Sequence, residues 1–125
     1  MDRIIITADS GADDFEALAL CIQNLIGGLP VTARSRNTPG IQIEDGKVRS
    51  KDYTGPLLER SIVEGHPIKD KPPSGTYKGI PVAVAPVLVN GTAIAAFGIV
   101  DTSGALGIKD LMDQYASLHR QVSGK

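Results

Sequence analysis

The feature that most constrains this chain is a pair of long apolar runs joined by Asn90-Gly91. The runs cover residues 80–89 and 92–101 and are rich in Val, Ile and Ala. Asn-Gly between two such runs is the strongest short-range signal for a β-hairpin with a type I′ turn, because both residues adopt positive φ angles readily. The sequence therefore predicts two long antiparallel strands.

A two-residue turn also fixes which residues pair. It places Val89 opposite Thr92 and Leu88 opposite Ala93, and the pairing continues one residue at a time away from the turn. Two residues that pair lie on the same face of the sheet. One predicted face is bulky and carries Ile80, Val82, Val84, Leu88, Phe97 and Ile99. The other, the small-residue face, carries Ala83, Ala85, Ala96 and Gly98, with Val87 and Ile94 beside them. Such a face admits another backbone closely or forms the floor of a small cavity.

Residues 10–26 have the spacing of an amphipathic helix that is ended by two glycines. Ser10 and Asp13 are spaced as a capping box. The apolar residues recur at intervals of three and four, at Phe15, Leu18, Ile22 and Leu25. Cys21 widens this stripe, so we expect it to be a small buried hydrophobe rather than a reactive thiol.

Two further helices are predicted. One begins at Pro56 and ends at Gly65, and its core residues are Leu57, Leu58 and Ile62. The other spans residues 103–122, with an apolar stripe formed by Ile108, Leu111, Tyr115, Leu118 and Val122.

The remaining segments are shorter. Residues 29–40 have loop composition, and Ile41, Ile43 and Val48 alternate around the turn Asp45-Gly46. Residues 66–79 are a loop with an edge strand near Ile68. Together these elements predict one α+β domain over residues 1–125, a two-layer antiparallel sheet with flanking N-terminal and C-terminal helices.

Composition excludes several classes of function. The 13 basic and 14 acidic residues balance, and five aromatics without Trp leave little for stacking on bases, so no nucleic acid partner is expected. Cys21 and two histidines, His66 and His119, are too few for a structural zinc site, and we expect neither metal nor cofactor. The longest apolar run is about ten residues, which predicts no membrane span and a cytoplasmic protein.

The common nucleotide-binding and hydrolase motifs are absent, and no catalytic residue is assigned. Asp9-Ser10-Gly11 looks like the Asp-Ser/Thr-Gly loop of retroviral-type aspartic proteases. In those proteins the triplet follows an apolar strand, whereas here a helix is predicted to begin at once. Ser10 and Asp13 are better explained as a cap, and a protease stays a minor alternative.

Candidate ligand-binding residues come from three segments. Arg34 and Arg36 are two apart, so an extended chain would direct both guanidinium groups to one side, as suits a carboxylate or phosphate. The alternative is a solvated loop that pairs with Glu44 or Asp45. Further candidates are Tyr53, Ser74, Tyr77, Lys78, Ala96, Gly98 and Asp101. We expect the two arginines to meet the loop 74–78 in one positive rim, although a helix cap also explains Asp101.

The chain resembles a known family along nearly its whole length. The resemblance is carried by LPVTARSRNTPG, by the stretch from Gly46-Lys47-Val48 through YTGPLLE, by PPSGTYKGIPVAVAPV and by AIAAFGIVDTSG. These stretches are similar to an uncharacterised archaeal family found chiefly in methanogens, which implies no particular activity. The order of elements is separately similar to the PAS, Cache and profilin-like sensor folds, in topology alone.

Two functions are compatible with these observations. The first is a small cytoplasmic sensor or regulatory domain that binds a small anionic metabolite over the small-residue face. The second is an interaction module or homodimer that packs this face, or the terminal helix, against a partner.

Overall fold

A six-stranded antiparallel sheet forms the centre of the molecule. The computed structural model describes residues 2–104 and 106–109. The elements in chain order are α1 (Ala12–Leu25), β1 (Val31–Ser35), β2 (Gly40–Glu44), β3 (Lys47–Tyr53), α2 (Pro56–Glu64), β4 (Ile68–Asp70), β5 (Val82–Val89) and β6 (Thr92–Val100). The strand order across the sheet is β3-β2-β1-β6-β5-β4. The α+β class is confirmed, as are the α2 helix, the β2–β3 hairpin and the β4 edge strand.

The predicted long hairpin is present as β5 and β6, and its turn residues Asn90 and Gly91 have φ angles of 51° and 80°. The pairing begins as predicted, with Val89 opposite Thr92 and Leu88 opposite Ala93. A β-bulge then inserts Ile94, so that Val87 pairs with Ala95 and every following pair is displaced by one residue.

The bulge separates the residues of the predicted small-residue face. Gly98 pairs with Val84 rather than with Ala83, and Ala96 pairs with Pro86 rather than with Ala85. Because side chains alternate along a strand, Ala96 and Gly98 lie on one face of the sheet, while Ala83 and Ala85 lie on the other. The prediction that these four residues share one face is therefore wrong.

The segment predicted as a loop, residues 29–40, contains β1, which lies between β2 and β6 near the middle of the sheet. Val31 and Ala33 are fully buried on one face. Thr32 and Ser35 are also buried, so their polarity and that of Arg34 concealed the strand alternation in the sequence. The loop assignment is corrected to a strand paired on both sides.

Helix α1 begins one residue later than the predicted cap implies. Its N-cap is Gly11, whose N–H donates to the carboxylate of Asp14 at 3.1 Å, while the Ser10 hydroxyl accepts from the N–H of Thr7. Its buried face consists of Ala12, Phe15, Ala19 and Gln23. Leu25 and Cys21 are both exposed, so the buried position expected for the cysteine is wrong.

The two helices cover opposite faces of the sheet. Phe15 of α1 packs edge-to-face on Phe97 at 5.5 Å, in a cluster that includes Val31 and Ile41. The core beneath α2 contains Leu57, Leu58, Ile62, Val82, Val84, Ala96 and Val100. The described residues thus form three layers where two were expected, because apolar side chains line both faces.

The predicted terminal helix falls largely outside the described residues. Residues 102–104 form turns and a bend, so the helix does not begin at Ser103, and helical geometry appears at Ile108 and Lys109. Residues 110–125 lie outside the described part. Within the part that is described, no helix is long and apolar enough to cross a membrane.

Candidate functional site

Five of the nine predicted site residues fall in two separate places, both against α2. We call the first the arginine groove, an open depression of about 380 Å³ lined by Arg34, Arg36, Glu59, Ile62 and Val63. The second is the interior cavity, a space of about 20 Å³ beneath the first turn of α2. The predicted single rim of Arg34, Arg36 and loop 74–78 is not formed, because the arginines line the groove and Ser74 and Tyr77 line the cavity.

Arg34 is held by the protein through all three of its side-chain nitrogens. Its Nε donates to the carbonyl of Ser35 at 2.8 Å and its Nη2 to that of Arg36 at 3.3 Å. Its Nη1 donates to the hydroxyl of Thr54 at 2.7 Å and lies 3.4 Å from the carboxylate of Glu59. Its side chain is 13% exposed. Through its contacts with Thr54 and Glu59, Arg34 connects β1 to the start of α2.

Arg36 is oriented by the β-bulge. Its backbone N–H donates to the carbonyl of Ile94, and its Nε donates to the carbonyl of Ala93, both at 2.8 Å. No described residue accepts a hydrogen bond from its two Nη atoms. The guanidinium is therefore fixed at one edge and presents two free NH2 groups, with four N–H donors, to the groove.

The charges in the groove leave one guanidinium without a counterion. The spacing of two between Arg34 and Arg36 brings both to one side, as expected from the sequence, but their partner is neither Glu44 nor Asp45. The carboxylate of Glu59 pairs with Arg34. Two guanidinium groups against one carboxylate give the groove a net charge of one positive unit, located at Arg36.

The apolar side of the groove comes from α2. Ile62 is buried and forms its floor, whereas Val63 is 85% exposed and stands at its rim. Sequence reasoning missed Glu59 and Val63 because the strand identity of residues 31–35 was missed. They are one turn apart on α2, and recognising β1 as a strand would have pointed to this helix as the wall opposite the arginines.

The interior cavity lies between the sheet and the loops that precede α2 and β5. It is lined by Thr32, Tyr53, Gly55, Pro56, Leu57, Leu58, Pro72, Ser74, Tyr77, Val82, Val84 and Val100. Thr32 is 3% exposed, and its hydroxyl has no hydrogen-bond partner among the described residues. Gly98 lies below, where an added Cβ would approach the Thr32 hydroxyl to 2.8 Å and a Val84 methyl to 2.9 Å.

A buried phenol network borders the cavity. The hydroxyl of Tyr77 donates to the carboxylate of Glu44 at 2.6 Å and accepts from the amide of Gln42 at 2.9 Å. Burial, and then the hydrogen bond to Glu44, raise the pKa of Tyr77. Burial, with a smaller contribution from the charge of Glu44, raises the pKa of Tyr53 to about 12. Both phenols are neutral at physiological pH and can act as hydrogen-bond donors.

The other predicted residues line neither the groove nor the cavity. Ala96 is fully buried in the core beneath α2. Asp101 is also buried, and its carboxylate accepts from the N–H groups of Leu106 and Ile108 at 3.4 and 3.3 Å, which is a capping role. Lys78 is exposed and lines neither the groove nor the cavity.

Metal-binding geometry is absent from the described residues, since no three His, Cys, Asp or Glu side chains come together there. Asp9 lies in the turn before α1, where its carboxylate accepts from the amide of Asn37 at 2.7 Å. His66 is exposed, and its ring nitrogens lie 3.0 Å from the Glu64 carboxylate and 3.0 Å from the Pro67 carbonyl. These groups are therefore engaged in local contacts.

The fold and the groove together define an α+β domain with an open antiparallel sheet, a helix on each face and a cationic depression beside α2. The chain belongs to the family described as an uncharacterized protein conserved in archaea (DUF2111), which it matches over residues 22–103. This confirms the resemblance found in the sequence. The matched range contains every residue that lines the groove and the cavity.

One curated relative aligns with most of the chain. The chain is 34% identical over 103 residues to the uncharacterized protein MJ0405 of Methanocaldococcus jannaschii, an alignment that covers 82% of this chain and 79% of that protein. No solved structure matches the chain.

Proposed function

We propose that this chain is a small regulatory domain that binds a small anionic metabolite in the arginine groove and catalyses no reaction. The observation that carries the proposal is the guanidinium of Arg36. Its Nε is held 2.8 Å from the Ala93 carbonyl, while both Nη atoms have no partner among the described residues. A guanidinium fixed in this way loses little conformational entropy on binding a carboxylate or a phosphate oxygen.

The dimensions and lining of the groove indicate the kind of guest. A volume of about 380 Å³ is within the range of small-molecule sites. Val63 offers an exposed apolar surface opposite the arginines, and Ile62 lies beneath it. A small carboxylate with a short apolar chain satisfies both sides, with its oxygens at Arg36 and its carbons on Val63.

A sensor role is the regulatory function that agrees with this site. The open antiparallel sheet with flanking helices is similar in general build to PAS-like and profilin-like sensor domains, and this similarity is part of the proposal rather than its support. A ligand that touches Arg36, held by the β6 bulge, and Val63 on α2 would connect the sheet to that helix. Binding would then bias the position of α2.

The proposal is tested by isothermal titration with short-chain carboxylates and small phosphate esters. Arg36→Gln removes the charged donors, and Val63→Glu places a carboxylate at an exposed position where the fold tolerates it. We expect both variants to lose at least about tenfold in affinity. Arg49→Gln is the control, because Arg49 is an exposed arginine on β3 that pairs with Asp45 in the β2–β3 turn, and it should bind as the native protein does. Failure of the native protein to bind any member of the panel would exclude this function.

The alternatives have less support. The interaction module requires the small-residue face, which the bulge divides between two sides of the sheet, or the terminal helix, which falls largely outside the described residues. Sedimentation of the native chain measures whether a homodimer forms by another surface. For the protease alternative, peptidase activity that disappears in Asp9→Asn would be required, and the carboxylate of Asp9 is engaged by Asn37.

A further inference from the structure

We infer that Glu59 sets the charge of the guest, so that the arginine groove selects singly charged carboxylates over doubly charged ones. This inference rests on the proposed binding function and goes beyond it by naming a specificity-determining residue. It is carried by the contacts that Glu59 makes with Thr54 and Arg34.

Glu59 already occupies the anion position at one of the two arginines. Its Oε2 accepts from the Thr54 hydroxyl at 2.6 Å and lies 3.4 Å from Nη1 of Arg34. Thr54 in turn accepts from the same Nη1 at 2.7 Å. The three groups form a closed set, in which Thr54 fixes the carboxylate and the carboxylate neutralises Arg34.

Arg36 is the arginine that remains for the guest. Its two Nη atoms have no partner among the described residues, and the net charge of the groove is one positive unit. One carboxylate balances that charge. A second anionic group on the same guest would face Glu59 rather than a free cation, and the repulsion between like charges a few ångströms apart opposes its entry.

The apolar side of the groove also favours singly charged guests. Val63 lies one turn beyond Glu59 on α2, and it is 85% exposed. A methyl group at the far end of the guest gains apolar contact there, whereas a carboxylate in the same place finds no cationic partner. Charge and apolar surface therefore favour the same class, monocarboxylates with a short carbon chain.

The test compares two acids of five carbons, pentanoate and glutarate, which differ in having a methyl or a carboxylate at the far end. Affinities are measured at constant ionic strength and neutral pH. We expect the native protein to bind pentanoate about tenfold more tightly than glutarate, and Glu59→Gln, which keeps the shape and an acceptor for Thr54, to remove most of that difference.

Glu64→Gln is the matched control, because Glu64 is on the same helix but pairs with Arg60 and His66 away from the groove. It should leave the affinity ratio at the native value. An equal change of the ratio in Glu64→Gln would show an effect of net charge alone and would overturn the inference. Val63→Glu, at an exposed position, should weaken the binding of glutarate more than that of pentanoate. This second variant tests the inference even if Glu59→Gln does not fold.

The possible failures are distinguishable. If pentanoate binds in a manner that depends on Arg36, but the ratio is the same in the native protein and Glu59→Gln, this inference is wrong and the proposed function stands. If neither acid nor any other member of the anion panel binds the native protein, both are wrong.

Discussion

The Nε of Arg36 donates a hydrogen bond of 2.8 Å to the carbonyl oxygen of Ala93, across the bulge in β6. The backbone N–H of Arg36 donates to the next carbonyl, that of Ile94, at the same distance. An inserted residue in a strand leaves carbonyl groups without ladder partners, and Arg36 supplies partners for two of them. The residue that we place in the ligand site is therefore also a structural element of the sheet.

This double role predicts a measurable cost of removing the guanidinium. Arg36→Gln should lower the free energy of unfolding by about 1–2 kcal/mol, because the Ala93 carbonyl loses a charged donor. Urea denaturation of the ligand-free protein measures the change. Arg49→Gln breaks an ion pair of 3.8 Å between exposed groups and should change stability by less than about 0.5 kcal/mol. Equal effects of the two substitutions would contradict the bulge contact.

The displacement of register by the bulge is tested by two alanines that the sequence alone places together. Ala96→Leu adds volume at a fully buried position beneath α2 and should destabilise the protein by about 1–3 kcal/mol. Ala85→Leu, at an exposed position on the opposite face, should change stability by no more than about 0.5 kcal/mol. If both substitutions cost the same in thermal unfolding, the two residues share a face and the register reported above is wrong.

The interior cavity should contain one water molecule. Its volume of about 20 Å³ exceeds what a single water requires, and the hydroxyls of Thr32 and Tyr53 line it without a partner among the described residues. A crystal structure at high resolution should show this water bonded to the Thr32 hydroxyl. Thr32→Val should lose the water and keep the fold.

Adding a methyl group at Gly98, next to the cavity, should be unfavourable. Gly98→Ala brings a methyl group within 3 Å of both the Thr32 hydroxyl and a Val84 methyl, so neighbouring side chains have to move. We expect a loss of about 1–3 kcal/mol in the free energy of unfolding. A variant as stable as the native protein would show that the space beneath α2 is larger than the structure indicates.

Alkaline pH should destabilise the protein through its buried phenols. The pKa of Tyr53 is raised from an ordinary value near 10 to about 12, so the folded state holds the proton more tightly than the unfolded state. The stabilisation is complete below pH 10 and is lost as the pH rises through about 12. Tyr53→Phe removes this titration and should flatten the decline in unfolding free energy over that interval, as measured by denaturation at a series of pH values. A parallel decline in both proteins would contradict the assignment.

The sequence by itself determined the elements whose signals are local. Asn90-Gly91 specifies a two-residue turn with positive φ, Pro56 and Gly65 mark the ends of α2, and Asp45-Gly46 closes the β2–β3 hairpin. In each case the deciding free energy belongs to a few neighbouring residues. The family resemblance was likewise readable, since it depends on residue identities and not on contacts.

The tertiary structure decided everything that depends on which distant groups meet. Thr32, Arg34 and Gln23 are polar, and the sequence placed the first two in a loop, yet all three are built into the packed structure. The amide of Gln23 donates to the carbonyl of Leu29 and accepts from the N–H of Gly46, which no local pattern reveals. Burial of a polar group is favourable when a partner satisfies it, and the partner is supplied by the fold.

The site shows the same division. The spacing of Arg34 and Arg36 predicted that both guanidinium groups lie on one side, which is a property of the extended chain. Glu59 neutralises Arg34, while Arg36 keeps two free NH2 groups. This difference depends on α2 packing across β6 and on the inserted Ile94. A one-residue insertion reverses the facing of every residue beyond it, so the sequence identified the arginines and the three-dimensional packing determined which one is available.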